Sequence, residues 1–191
     1  MPPLTEQAHA IIRQIVRSGD VAIDATAGNG HDTKFLADLV GATGLVFAID
    51  IQQQALQQTA ALLGDAALAH VHLVQRDHTE LKAIIPSEYH EQIAVVMFNL
   101  GYLPGGDRSL TTRTDSTLEA IRSALDILRP GGVLTVVAYS GHPGGAAEAN
   151  AIECLLRNLS LEDYATSKHS AASDRAFAPS LFVVTKACPA G

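Results

Sequence analysis

The chain of 191 residues contains no tryptophan, two cysteines and two methionines, and aromatic residues make up only 5% of it. Cys154 falls in a helix-like stretch and Cys188 in the last four residues, a poor pair for a structural disulfide. One thiol is expected to be packed and the other to sit in a tail. With no CxxC and no clustered ligand spacing, no metal site is expected. Charge is also scarce. Charged residues form 17% of the chain, and 13 Lys plus Arg against 20 Asp plus Glu leave a formal net charge of −7, which excludes a uniformly basic nucleic-acid coat. No apolar run approaches the roughly 18 residues of a membrane helix, so no membrane partner is expected. The opening residues 1–6 lack the basic start and apolar run of a signal peptide, which points to a cytoplasmic protein. There is no repeat, low-complexity tract or linker. A hydrophobic fraction of 47% is far from the disordered range, and the length suits a single domain over residues 1–191.

Hydrophobic spacing supplies the organisation. Ala8, Ile11, Ile12, Ile15 and Val16 recur at helical intervals and predict an amphipathic helix ended by Gly19. Short apolar runs at 21–23, 45–49, 71–74, 93–98, 133–138 and 181–184 read as buried strands. Between them lie helical patterns around 35–40, 53–63, 116–128 and 145–159, the third stopped by Pro130-Gly131-Gly132. Residues 167–179 read as one loop or hairpin connection. Strands alternating with helices, and apolar throughout rather than on one side, point to an α/β fold: a doubly wound, mainly parallel sheet covered on both faces.

In such sheets ligands bind beyond the carboxyl ends of the strands, near the reversal of strand order. The first strand ends in Asp24-Ala25-Thr26-Ala27-Gly28-Asn29-Gly30, followed at once by a helix whose free N–H groups face the turn. Asp50 closes the second strand twenty residues after Gly30, where a carboxylate can accept both ribose hydroxyls. A dinucleotide-binding fingerprint would have a third glycine where Thr33 stands, which counts against an NAD-linked oxidoreductase. Asp24 is expected to project towards the ligand, where it suits a cationic amino group better than a phosphate. Asp77, after the third strand, is placed to accept from an adenine amino group or to cap the short helix of residues 79–85. The fourth strand leads into Asn99-Leu100-Gly101-Tyr102-Leu103-Pro104-Gly105-Gly106-Asp107-Arg108, which delivers an amide, a glycine and an aromatic ring to the cleft. It is similar to the Asn-Pro-Pro-Tyr signature of methyltransferases acting on amino nitrogens, with Leu100-Gly101 in place of the prolines. A second glycine-rich turn, Tyr139 to Gly145, follows the fifth strand. There Tyr139 and His142 are candidates for the substrate side, and local hydrogen bonding is favoured over proton transfer for His142.

Together, the segments 24–33, 50–52, 77–78, 98–107 and 139–145 resemble a family of small class I methyltransferases once labelled rRNA methylases. That family is associated with methylation of 5-aminomethyl-2-thiouridine at the tRNA wobble position. The resemblance runs from about Ala8 to Lys186 and is most specific in Gly28-Asn29-Gly30-His31-Asp32-Thr33 and Asn99-Leu100-Gly101-Tyr102-Leu103-Pro104. It implies S-adenosylmethionine as cofactor. Asn29 and Asp32 would meet its methionine end, Asp50, Ile51 and Gln52 the ribose and adenine side, and Asp77 with His78 the adenine. Asp24, Thr26, Gly28 and Gly30 complete the implied cofactor loop. Ala27 and Asp77 depart from the methionine and small polar residue that family members often have there. Asn99 and the Gly101 backbone would orient the amine, Tyr102 would hold the base, and Arg108, Tyr139 and His142 would border the substrate.

The implied partner is tRNA, and the family favours a homodimer. Since the net charge is negative, RNA contact is expected to be local and salt-sensitive, at a small basic rim drawn from Arg108, Arg113, Lys168 and Arg175. A methyltransferase for another RNA nitrogen or a small amine is the alternative, and a non-catalytic cofactor- or RNA-binding module is disfavoured by the intact 99–102 run.

Overall fold

The computed structural model describes residues 2–101, 112–170 and 178–189. The predicted alternation is present: α1 (Leu4–Ile15), β1 (Val21–Asp24), α2 (His31–Val40), β2 (Leu45–Asp50), α3 (Gln53–Leu68), β3 (Val71–Gln75), α4 (Leu81–Ile84), β4 (Ile93–Leu100), α5 (Thr114–Ile127), β5 (Leu128–Ala138), α6 (Gly145–Arg157), β6 (Tyr164–Ser170) and β7 (Ser180–Lys186). A single helical turn over His78–Glu80 leads into α4.

The seven strands form one sheet in the order β3-β2-β1-β4-β5-β7-β6. Pairing is parallel from β3 to β5, and β7 then runs antiparallel between β5 and β6. Chain order reverses between β1 and β4, so the carboxyl ends of these two neighbours open the crevice where ligands are expected. Alternate residues of the buried strands serve opposite faces. Ala22, Val46 and Ala48 join Leu4, Ala8, Ile12, Leu36 and Val40 under α1 to α3. Ile23, Phe47 and Ile49 join Leu81, Ile121, Leu125 and Ile152 under α4 to α6. Apolar burial on both sides explains why these strands read as unbroken hydrophobic runs.

Four local expectations are revised. The helix after β2 reaches Leu68 rather than Leu63, with Gly64 at φ 70° forming a kink that glycine accommodates without a steric cost. Residues 128–132 open β5 rather than forming a helix stop, with Leu128 already paired to Ile93 through an irregular register at the start of β4. The hairpin connection is shorter than expected, since residues 164–170 form β6. This strand is mostly exposed and polar because it lies at the sheet edge, so it carries no hydrophobic run. Cys154 is exposed rather than packed, as is Cys188, and both are free thiols. No helix among the described residues is long and apolar enough to cross a membrane.

Candidate functional site

Described residues at and beyond the carboxyl ends of β1, β2, β3, β4 and β5 border a cavity of about 1040 Å³ at one end of the sheet. Small-molecule pockets usually lie at about 300–1,000 Å³, so there is room for a nucleoside-sized ligand and for part of a second one. The loop after β1 contributes Thr26, Gly28, Asn29 and, from the first turn of α2, Asp32. The end of β2 contributes Asp50, Ile51 and Gln52, the turn after β3 contributes Asp77 and His78, and the end of β4 contributes Asn99 and Gly101. Tyr139 and His142 complete the wall from the turn after β5.

Two predicted residues are set beneath this wall rather than in it. Asp24 is fully buried; its carboxylate accepts from the Thr33 hydroxyl at 2.6 Å and from the Thr26 N–H at 3.2 Å. It therefore presents no surface to a ligand. Burial, reinforced by the negative charge of Asp32, pushes its pKa up to about 7 despite these hydrogen bonds. Gly30 is also buried, in the left-handed conformation at φ 81°, and a Cβ there would stand 2.8 Å from the Thr59 Cα on α3. The missing side chain lets this turn lie directly against α3. Tyr102 and Arg108 lie outside the described residues.

Main-chain hydrogen bonds fix the loop that carries the remaining residues. Ala25 N–H donates to Met97 O at 2.9 Å and Ala27 N–H to Ile49 O at 2.9 Å, tying the turn after β1 to both neighbouring strands. Asp50 accepts from the Gly28 N–H and the Gln52 N–H, each at 2.9 Å. A carboxylate has about four acceptor positions, so two remain for a ligand. Gly28 turns at φ 53°, a left-handed conformation that glycine adopts without steric cost. On the opposite wall the Asn99 N–H donates to the Thr26 hydroxyl at 2.7 Å. Asn99 Nδ2 lies 2.6 Å from Asp32 Oδ2, and Asp32 Oδ1 lies 2.6 Å from His9 Nε2 on α1. The main chains of Gly101 and Thr112 are joined by a 3.1 Å hydrogen bond.

Asp77 does cap the turn that follows it, accepting from the Thr79 N–H at 2.9 Å. Desolvation opposes its charge, yet the hydrogen bonds from Thr79 prevail and hold the carboxyl below its ordinary range. Burial drives the His78 imidazole the other way, below its usual pKa, although Asp77, Glu148 and Asp50 all attract a proton to it. A neutral His78 thus stands edge-on to Phe98, their ring centroids 5.9 Å apart. Its Nε2 has no hydrogen-bond partner among the described residues. Partial desolvation and the nearby Asp32 push the Tyr139 phenol up, so it is a neutral donor at physiological pH.

Several contributors were not legible in the sequence. Thr5 and His9 reach the cavity from α1, and Arg76 and Ser116 also border it. Their one shared signal is position on an element that packs beside a strand end, which is a property of topology. Of the anticipated basic rim, Arg113 is exposed at the cavity, whereas Lys168 lies on β6, 2.6 Å from Glu153 and over the Phe182 ring. Arg108 and Arg175 lie outside the described residues. No group of three potential ligands that could hold a metal occurs among the described residues.

The sequence comparison decides the family. Residues 46–185 match the family model described as "Putative rRNA methylase". The chain belongs to this rRNA-methylase family. It is 40% identical over 173 residues to the chloroplastic tRNA (mnm(5)s(2)U34)-methyltransferase of Arabidopsis thaliana, an alignment covering 86% of this chain and 62% of the relative. The family member is also 32% identical over 126 residues to the ubiquinone/menaquinone biosynthesis C-methyltransferase UbiE of Pseudomonas fluorescens, covering 65% of this chain and 44% of that protein. The chain thus spans less than two thirds of the length of these curated relatives. A Clostridium thermocellum crystal structure with the same rRNA-methylase description superposes with a TM-score of 0.91 at 35% identity, covering 97% of this chain and 98% of that one. A Streptococcus mutans chain solved with SAH superposes with a TM-score of 0.86 at 30% identity, covering 97% and 99%. The fold is that of the class I S-adenosylmethionine-dependent methyltransferases.

Proposed function

We propose that this family member is an S-adenosylmethionine-dependent N-methyltransferase whose acceptor is the aminomethyl nitrogen of 5-aminomethyl-2-thiouridine at the tRNA wobble position. The observation that carries the reading is the placement of Asn99 at the carboxyl end of β4, in the wall of a cavity whose other side holds the nucleoside-type acceptors Asp50 and Asp77. The relative from Arabidopsis thaliana, named for this nucleoside, supports the choice of substrate.

The residues present fit the cofactor. Asp50 retains acceptor capacity for ribose hydroxyls, Gly28 leaves the backbone open to close approach, and the neutral, half-orphaned His78 stands beside Asp77 where a base edge would be met. When bound, S-adenosylmethionine supplies an electrophilic methyl group on a sulfonium centre. Asn29 and Asp32 would meet its methionine end, Asp50, Ile51 and Gln52 the ribose and adenine side, and Asp77 with His78 the adenine. Asn99 Oδ1 and the Gly101 main chain accept from the N–H bonds of a neutral primary amine and aim its lone pair. Tyr139 and His142 border the same end, with Tyr102 assigned to the base and Arg108 to the backbone of the RNA. The departing thioether requires no proton, so orientation supplies most of the rate. A cytoplasmic homodimer that grips tRNA through loops at the strand ends completes the proposal.

The test is methyl transfer from labelled S-adenosylmethionine to tRNA that carries 5-aminomethyl-2-thiouridine, followed by nucleoside mass spectrometry. Appearance of the methylaminomethyl nucleoside is the expected result. Label absent from tRNA but present in rRNA or in small amines defeats the substrate assignment.

A further inference from the structure

We infer that Asp32, held in turn by His9, is a positioning residue that decides which end of the Asn99 amide faces the cavity; this rests on the amine-orienting role of Asn99 proposed above. A primary amide is nearly symmetric in shape, so packing alone does not distinguish its oxygen from its nitrogen. Chemistry does. An ionised carboxylate has only acceptors, so the Asn99 atom 2.6 Å from Asp32 Oδ2 is the NH2 group, and Oδ1 is turned the other way. The Asn99 main chain cannot rotate to compensate, because its N–H is bound to the Thr26 hydroxyl at 2.7 Å and the residue is the penultimate member of β4.

The direction of the amide bears on the reaction. An inward carbonyl oxygen accepts an N–H from the substrate amine and leaves the nitrogen lone pair free to attack. An inward NH2 would donate to that lone pair and tie up the electrons that must form the new bond. Asp32 therefore separates a productive from an unproductive arrangement of the same residue.

His9 secures Asp32 from the other side. Its Nε2 lies 2.6 Å from Asp32 Oδ1, and because the carboxylate cannot donate, this nitrogen carries the hydrogen in either charge state. The ring is clamped on Phe35, stacked at 3.7 Å with 9° between planes. The His9 and Asp32 side chains are only 18% and 12% exposed, so water competes weakly for these bonds. The resulting chain, His9 to Asp32 to Asn99, joins α1, α2 and β4 across the mouth of the cavity.

Two measurements test it. The chain has four asparagines, so selective ¹⁵N-asparagine labelling of the full protein gives few side-chain signals, and Asn99→Ala identifies the one in question. The Asn99 NH2 pair is expected to be slow in solvent exchange and to lose that protection in Asp32→Ala; protection unchanged in the variant overturns the assignment. This arm needs no substrate, so it stands apart from whether tRNA is the acceptor. The second arm is a double-mutant cycle in the tRNA assay. With S-adenosylmethionine saturating for each variant, Asp32→Ala is expected to lower kcat on the order of 10²-fold with KM for tRNA nearly unchanged. It should add almost nothing to the kcat loss in an Asn99→Ala background, while any loss of cofactor affinity appears separately in KM for S-adenosylmethionine. Multiplying losses overturn the positioning role. Asp32→Leu, which has no acceptor, and His9→Ala, both checked for SAH binding by calorimetry, serve if Asp32→Ala fails to fold. His9→Gln, which keeps a donor, should recover part of the His9→Ala loss, and equal loss in both overturns the part played by His9.

Discussion

Replacing Asp24 by asparagine removes the titration of a buried carboxyl while keeping its shape. The amide can still accept from the Thr26 N–H and can donate to the Thr33 hydroxyl, so the hydrogen-bond geometry at 3.2 and 2.6 Å survives. The folded-state pKa of about 7 stands above the unfolded value of 3.8. The folded protein therefore binds more protons than the unfolded chain between these limits, and the contribution of Asp24 to stability falls as pH rises through that window. At about 1.4 kcal/mol for each pH unit, the interval corresponds to at most about 4 kcal/mol. Other carboxyls work in the opposite sense: Thr79 lowers Asp77, and Lys168 with Arg157 lowers Glu153. The informative quantity is thus the difference between variant and parent. Guanidinium unfolding at pH 4 to 8 should show Asp24→Asn gaining on the parent as pH rises, by up to about 4 kcal/mol in total. Parallel curves would refute the account of a carboxyl kept protonated by burial.

Gly30→Ala should destabilise the fold and weaken SAH binding, since its Cβ would press on the Thr59 main chain at 2.8 Å and φ 81° is a left-handed conformation; thermal unfolding and calorimetry report the two effects. Glu148→Ala should cost about 1–3 kcal/mol, because the buried carboxylate accepts from the Thr117 hydroxyl at 2.6 Å and the Thr112 hydroxyl at 3.0 Å, and a buried donor left without a partner is penalised by that much; denaturant titration checks it. Asn99→Ala should lower turnover on the order of 10²-fold while SAH affinity stays close to that of the parent, and equal turnover removes Asn99 from the proposed role. Arg113→Ala should weaken tRNA binding and flatten its dependence on salt, as measured by filter binding at several ionic strengths.

The sheet was legible because its central strands are buried on both faces and several of its helices, such as α2 at Gly41, end at glycine or at extended residues, both local signals. Edge strand β6 was not, since Tyr164–Ser170 has little apolar surface to announce it. The site divides in the same way. Asp50 and Asp77 could be placed from the ends of strands. The burial of Asp24 under Thr33, and the bond between Asp32 and Asn99, 67 residues apart, follow from the register that brings β1 beside β4. His9 was further from view, because the outward side of an amphipathic helix does not reveal which strand end it will overhang.

The insertion of β7 between β5 and β6 has a consequence for how the protein is made. Translation produces β6 before the strand to which it pairs, and leaves Val133–Ala138 of β5 with an open apolar edge until Ser180–Lys186 has emerged. A nascent chain at that stage carries both an unfilled slot and an unattached ribbon. Unpaired strand edges invite intermolecular pairing. Ribosome stalling or premature termination ahead of residue 180 should therefore yield aggregation-prone fragments rather than a partly working protein.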